Sequence, residues 1–288
     1  MPFVEHGDAR VWYSDLGQGP AVLLIHGGIF EPANGEQFWV QPGIAADLVA
    51  AGYRVLVPDR RFCGGQTSAL FGAYTWDDEA ADFAAVLRDA GAERAHIVAG
   101  SNGCSAAIRF GLREAARVRS LLLCWPAARD DDDAALFTRT ADFVQQVGTQ
   151  AYLDMLREQG VPPPHEEQPG FLWGFALLHD ERLAASFAAC QTQDAARIIR
   201  ETGKAITAGD LMRGVATRDA EALGEQGFPV AVMPAGSDNP VHPHALAATL
   251  TARIPGARQV KGFPESPRPG FSAVRAEFCR LLSALLVD

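Results

Sequence analysis

The stretch "VAGSNGCSAA" (98–107) decides the fold. An apolar run ends in Gly100-Ser101-Asn102-Gly103, and small helix-forming residues follow at once. Small-x-Ser-x-small, with Ala99 as the first small residue, lets a serine sit on a sharp, strained strand-to-helix turn without collisions. Its hydroxyl then projects above the sheet at a helix N-terminus, a place that favours negative charge. A tight turn with a capping serine would use the same residues. The strand before and the helix after favour a nucleophile elbow at Ser101.

Working outward, the same rhythm recurs. "AVLLIHG" (21–27), "YRVLVPD" (53–59), "AHIVAGS" (95–101), "SLLLCWPA" (120–127), "FPVAVMPAG" (228–236) and "ARQVKGF" (257–263) read as strands. Each is apolar-rich and bounded by turn formers, as a parallel strand covered on both faces should be. Segments 2–6 and 10–16 alternate more and suit an antiparallel edge. Between the strands lie helical patterns. In 76–91, Ala80, Phe83, Ala84, Leu87 and Ala90 share a face, acids crowd the first turn, and Gly91 can close the end. A last helix over 271–286 buries Phe271, Val274, Phe278, Leu281, Leu282 and Leu285. Strand–helix–strand repetition implies an α/β fold, a mostly parallel sheet flanked by helices.

Residues 128–226 break the rhythm. They hold no convincing strand, and helices are expected near 132–147, 149–159, 180–200 and 204–223. That is too much chain for a loop. The expected division is a core of 1–127 and 227–288 with a helical cap, or lid, of 128–226 inserted after the sixth strand. "RDDDD" (129–133) reads as a solvated helix start rather than a metal site.

Composition bounds the partners. The chain has 288 residues, 48% of them apolar, and a formal charge of −10. It is long enough for a large buried core, and its charge argues against nucleic acid. No apolar run spans a bilayer, so no membrane partner is expected. The charged start argues against a secretory signal and makes the cytoplasm the expected location. Five scattered cysteines form no CxxC pair, and neither a metal nor an organic cofactor is implied. A small-molecule substrate is the expected partner, and a homodimer is compatible with the sequence.

"LLIHGGIFEPANGEQF" (23–38) supplies the second chemical signal. Glycines after a strand can aim backbone N–H groups at an oxyanion. Gly28 or Ile29 would give one donor and Asn102 the other, while His26 braces the loop.

Together, "HGG" after one strand, "PDRRFCGGQTS" (58–68) after the next, the elbow, the helical segment and "PAGSDNPVHP" (234–243) resemble the α/β-hydrolase fold family. The order matches over nearly the whole chain. In the family, the segment at 58–68 usually carries a glycine where Phe62 stands, so a locally different loop is expected. The resemblance implies a Ser–acid–His triad. Its acid would follow the strand at 228–236, where Asp238 and Asn239 are the candidates, and Asp238 also reads as a turn residue. Its histidine would follow the last strand. "QVKGFPESPRPGF" (259–271) has none, and no histidine occurs after His244. Glu265 is the only acidic residue in that stretch.

Losing the histidine from such a triad costs about 10⁶ in turnover, so a replacement or a different chemistry is needed. His242 and His244 lie just past the acid loop, and His165 and His179 lie in the helical segment; His242 is the catalytic candidate. The expected activity is hydrolysis of a small apolar carbonyl compound, an ester or lactone, through Ser101 and an incomplete triad. The alternative is a cofactor-independent lyase, cyclase or isomerase using the oxyanion hole and a carboxylate such as Asp238, Glu31 or Glu36. A third reading is a binder without turnover. "FLWGF" (171–175) is the expected pocket wall, with Phe171, Trp173 and Phe175 against the substrate.

Overall fold

A nine-stranded sheet forms the centre of the computed structural model, which describes residues 3–130, 132–161 and 172–286. In chain order the strands are β1 (Phe3–His6), β2 (Ala9–Gly17), β3 (Ala21–Ile25), β4 (Arg54–Pro58), β5 (Ser68–Ala69), β6 (Ala95–Gly100), β7 (Val118–Cys124), β8 (Val230–Met233) and β9 (Arg258–Gln259). Across the sheet they run β1-β2-β4-β3-β6-β7-β8-β9, with β5 paired to β2. Every pair involving β2 is antiparallel, and the remaining pairs are parallel. The alternating N-terminal segments therefore do form the antiparallel edge.

The parallel strands feed two cores, one on each face. Val22, Leu24, Val98 and Leu122 enter one; Leu23, Ile25, Ile97 and Leu123 enter the other. The period of two along a strand produces that division. Helices α1 (Ile44–Ala50), α2 (Trp76–Asp89) and α3 (Gly103–Arg113) follow β3, β5 and β6 in the chain. Phe83 of α2 and Ile108 of α3 pack into one core, and Leu48 of α1 into the other. α2 starts at a capping box, in which Thr75 and Asp78 each bond the other's backbone N–H.

Between β7 and β8 come α4 (Asp133–Val147), α5 (Thr149–Gln159), α6 (Gly174–His179), α7 (Glu181–Ala189), α8 (Thr192–Thr207) and α9 (Thr217–Gly224). The single helix expected over 180–200 is two helices. The chain turns extended at Cys190, and α8 starts afresh at Thr192. The helix expected over 204–223 is likewise the tail of α8, a loop, and α9. This insertion follows the seventh strand in chain order, not the sixth, because the two-residue β5 has no apolar run to announce it.

The chain closes with α10 (His244–Arg253) and α11 (Phe271–Leu285). Phe271, Phe278 and Leu282 are buried beside α1, whereas Val274, Leu281 and Leu285 are only partly covered. The strand expected over 257–263 contracts to β9, with a further parallel bridge joining Ala235 to Phe263. Pro264 lacks an N–H and cannot extend the ladder. Among the described residues, no helix is long and apolar enough to cross a membrane.

Candidate active site

Ser101 sits between β6 and α3 with φ of 54°, the left-handed region that costs a non-glycine residue free energy. Its N–H donates to the Cys124 carbonyl at 2.9 Å, which ties the turn to β7. Two glycines let the neighbouring loop approach. A Cβ on Gly103 would stand 2.5 Å from the His26 carbonyl oxygen, and one on Gly27 would stand 2.8 Å from Ser101 Cβ. The small residues of the motif are therefore demanded by the close contact between the β3 and β6 ends.

An imidazole rests against this serine. The Ser101 hydroxyl lies 2.9 Å from His242 Nε2, and His242 Nδ1 lies 2.9 Å from Glu265 Oε1. An ionised carboxylate only accepts, so Nδ1 carries the proton and Nε2 is free to accept from Ser101. His242 and Glu265 are 5% and 8% exposed, so water competes little for either bond. Burial holds the imidazole below its usual pKa, against the upward pull of Glu265; Arg268 and Arg213 add to the lowering. For Glu265, burial favours the neutral form, but its backbone N–H, His242 and Asn239 outweigh it and keep the carboxyl below the usual range.

The histidine and the acid come from loops in the reverse of the expected order. His242 lies after β8, where the acid was expected, and Glu265 lies after β9, where the histidine was expected. β8 and β9 are adjacent, and the Ala235–Phe263 bridge holds their two loops side by side. From adjacent loops, either order can bring an imidazole between serine and carboxylate. Further bonds fix the pair. Ser266 Oγ donates to the Phe38 carbonyl at 2.6 Å, Trp125 Nε1 donates to the Phe263 carbonyl at 2.8 Å, and Ala128 N–H donates to the Val241 carbonyl at 2.8 Å.

The other candidate groups are accounted for elsewhere. Asp238 is not part of this chain of bonds. It is exposed, and its Oδ1 accepts the His244 N–H at 2.7 Å, which is the work of a turn residue. His244 Nε2 pairs with the Ala235 carbonyl at 2.8 Å. His179 pairs with the Phe175 carbonyl at 2.8 Å. His165 and Phe171 lie outside the described residues.

The loop after β3 is braced as expected. His26 Nδ1 donates to the Gly27 carbonyl at 2.7 Å, and Nε2 accepts the Arg60 N–H at 2.9 Å, so the ring is neutral. Full burial, with nearby Arg60, lowers its pKa to about 3. The Arg60 guanidinium donates to the Gly28 carbonyl at 2.5 Å and reaches Glu79 at 2.8 and 2.9 Å, with Tyr74 bonded to the same carboxylate. Among the described residues, no acceptor takes the N–H of Gly28, Ile29 or Asn102. Asn102 Oδ1 accepts from Arg213 at 2.9 Å, and Arg213 is held in turn by Asp133 of α4.

A cavity of about 270 Å³ opens beside Ser101. Gly28, Asn102, His242 and Glu265 line it, together with apolar Phe38 and Trp125 and polar Glu31 and Arg268. Of the expected wall "FLWGF", none of the described residues lines it. Trp173 is 1% exposed and sits among Phe30, Phe62, Phe71 and Phe137, with its ring 4.3 Å from that of Phe30. Phe175 stacks on His179 instead. Ile29 packs against the core rather than facing the cavity. The aromatics near the insertion form core, and the cavity is more polar than the composition of 128–226 suggested. Phe62 holds φ of 57°, the conformation a glycine would favour, and its ring joins the same cluster.

Sequence reasoning missed the partnership of Glu265 with His242. The signal was present: a lone acid where a histidine was expected, and a histidine just past the place where an acid was expected.

A family model described as alpha/beta hydrolase fold matches residues 20–266. A putative carbamate hydrolase RutD from Azorhizobium caulinodans is 27% identical over 258 residues, covering 90% of this chain and 88% of that protein. A putative non-heme chloroperoxidase from Synechocystis sp. is 32% identical over 132 residues, covering 44% of this chain and 45% of that protein. The chain thus spans about half the length of several curated relatives it matches. Among solved structures, an enol-lactonase from Burkholderia xenovorans LB400 superposes over 100% of both chains with a TM-score of 0.62 at 18% identity, a likeness of fold.

Proposed function

The chain belongs to the α/β-hydrolase fold family, and on that premise we propose that it hydrolyses a small carbonyl compound, an ester or lactone, through Ser101, His242 and Glu265. The observation that carries this reading is the chain of two 2.9 Å contacts from the Ser101 hydroxyl through His242 to Glu265. His242 Nε2 takes the hydroxyl proton as Oγ attacks the carbonyl carbon, and Glu265 stabilises the imidazolium that results. The N–H groups of Gly28 and Asn102 receive the developing oxyanion. His242 then gives its proton to the leaving alkoxide, leaving an acyl-serine. A water loses its proton to His242, attacks the acyl carbon and releases the acid, and Ser101 recovers its proton.

The enol-lactonase and the carbamate hydrolase among the similar proteins support a substrate of this chemical kind. The cavity of about 270 Å³ fits a small molecule. The helical insertion is read as a cap, because Arg213 reaches from it to the residue beside the nucleophile. Lyase or cyclase chemistry by a carboxylate was motivated by the want of a base near Ser101, and so was the non-catalytic reading. The imidazole at Ser101 removes that motive.

A fluorophosphonate probe tests the proposal. Wild-type protein is expected to be labelled at Ser101 and to cleave p-nitrophenyl butyrate. Ser101→Ala should abolish both, and His242→Ala should slow turnover by about 10⁶. Absence of labelling in folded wild-type protein would overturn the reading.

A further inference from the structure

We infer that Asn239 is the positioning residue that makes the reversed histidine–acid order work, and that an amide, not a carboxylate, is required there. The inference rests on the triad read above. Asn239 is one of the two residues at which the resemblance would place the catalytic acid, yet it serves both halves of the pair. Its Nδ2 donates to Glu265 Oε1 at 3.0 Å, the same oxygen that accepts from His242 Nδ1. Its Oδ1 accepts the N–H of His242 at 2.9 Å and of Val241 at 3.1 Å. Nδ2 also reaches the Ser237 carbonyl at 3.2 Å. One amide thus pins the backbone that carries the imidazole and the carboxylate oxygen that orients it.

The two ends of the amide have different duties. The acceptor end holds backbone donors, and an aspartate would keep those bonds. The donor end meets an anion, and an aspartate would reverse that contact. Two ionised carboxylates about 3 Å apart repel each other, and both favour a cation beside them. With the acid moved to Glu265, an aspartate at 239 would place a second negative charge beside the first and beside His242.

His242 is the group that reports the change, so its charged surroundings matter. Glu265 and Arg268 face it from the loop after β9, and Arg213 from the insertion. Glu31 lies across the cavity on the loop after β3. On its own loop, Asp238 is engaged with the His244 N–H. Adding an anion at 239 favours the imidazolium and moves the loss of base function to higher pH.

The test measures the second-order rate of fluorophosphonate labelling, and kcat/KM for p-nitrophenyl butyrate, against pH, with thermal unfolding of each variant as a folding control. Asn239→Asp should move the acidic limb of both profiles upward by about one unit or more. Asn239→Ala should lower kcat by about 10²-fold through loss of alignment, with little change in KM. An acidic limb and rate equal to wild type in folded Asn239→Asp would overturn the inference, as would full activity in Asn239→Ala. If Asn239→Asp does not fold, Asn239→Ala decides alone. A wild-type protein that is never labelled would instead sink the triad itself, so the two failures are distinguishable.

Discussion

Glu265 Oε1 accepts two hydrogen bonds, from His242 Nδ1 and from Asn239 Nδ2, and both help keep its carboxylate ionised. In the proposed mechanism the imidazole must be neutral to take the serine proton. Its pKa is held below 6.5, chiefly by burial, so it stays neutral at pH values where an ordinary histidine would be protonated. The acidic limb of kcat/KM should therefore lie below pH 6.5, and a limb at or above that value in wild-type protein would contradict the assignment. Glu265→Gln retains size and most contacts but removes the charge that steadies the imidazolium. Turnover should fall by about 10⁴-fold, while thermal stability changes little; a loss under tenfold would remove Glu265 from the mechanism. Ser101 was legible as a residue because its strain and its small neighbours are local. Glu265 was not, because an acid in a loop acquires meaning only from the side chain it faces.

The elements around the site are held by buried charge. Arg60 follows β4, Glu79 belongs to α2, and their ion pair is fully enclosed while the same guanidinium grips the carbonyls after β3. A buried pair is a weak source of stability when intact, but breaking it leaves an unpaired charge. Glu79→Gln should destabilise the fold by about 3–5 kcal/mol, measured by urea unfolding, and should slow fluorophosphonate labelling because the loop bearing Gly28 loosens. An unchanged unfolding midpoint would show that Arg60 finds another partner. Phe62 belongs to the same scale. Its left-handed backbone keeps a glycine-like turn, at a cost of about 1–2 kcal/mol, and its ring stacks at 5.9 Å on Phe30, which is also left-handed. The sequence marked the substitution, but only packing shows what offsets its strain.

At the scale of the whole molecule, His26 contributes one part of the dependence of stability on pH. That ring is neutral and buried between β3 and the loop after β4, with a pKa of about 3 against 6.5 unfolded. The unfolded chain binds this proton first, so its stabilising contribution is complete above pH 6.5 and is withdrawn as pH falls toward 3. At about 1.4 kcal/mol per unit, roughly 3 kcal/mol is lost between pH 7 and pH 4. His26→Gln should be less stable than wild type at pH 7 and show a shallower acid dependence in urea unfolding; equal slopes would contradict a neutral His26. The sequence by itself determined the parallel sheet, the antiparallel edge, the helical segment between β7 and β8, the elbow at Ser101 and the bracing role of His26. These follow from apolar periodicity and from glycines at turns, which act over a few neighbouring residues. Tertiary structure alone decided which imidazole meets Ser101, which acid meets that imidazole, and that Trp173 fills core rather than lining the cavity. Loops after two adjacent strands can present histidine and acid in either order, and an aromatic run fits a core or a wall equally well. Only the folded arrangement of distant segments distinguishes them.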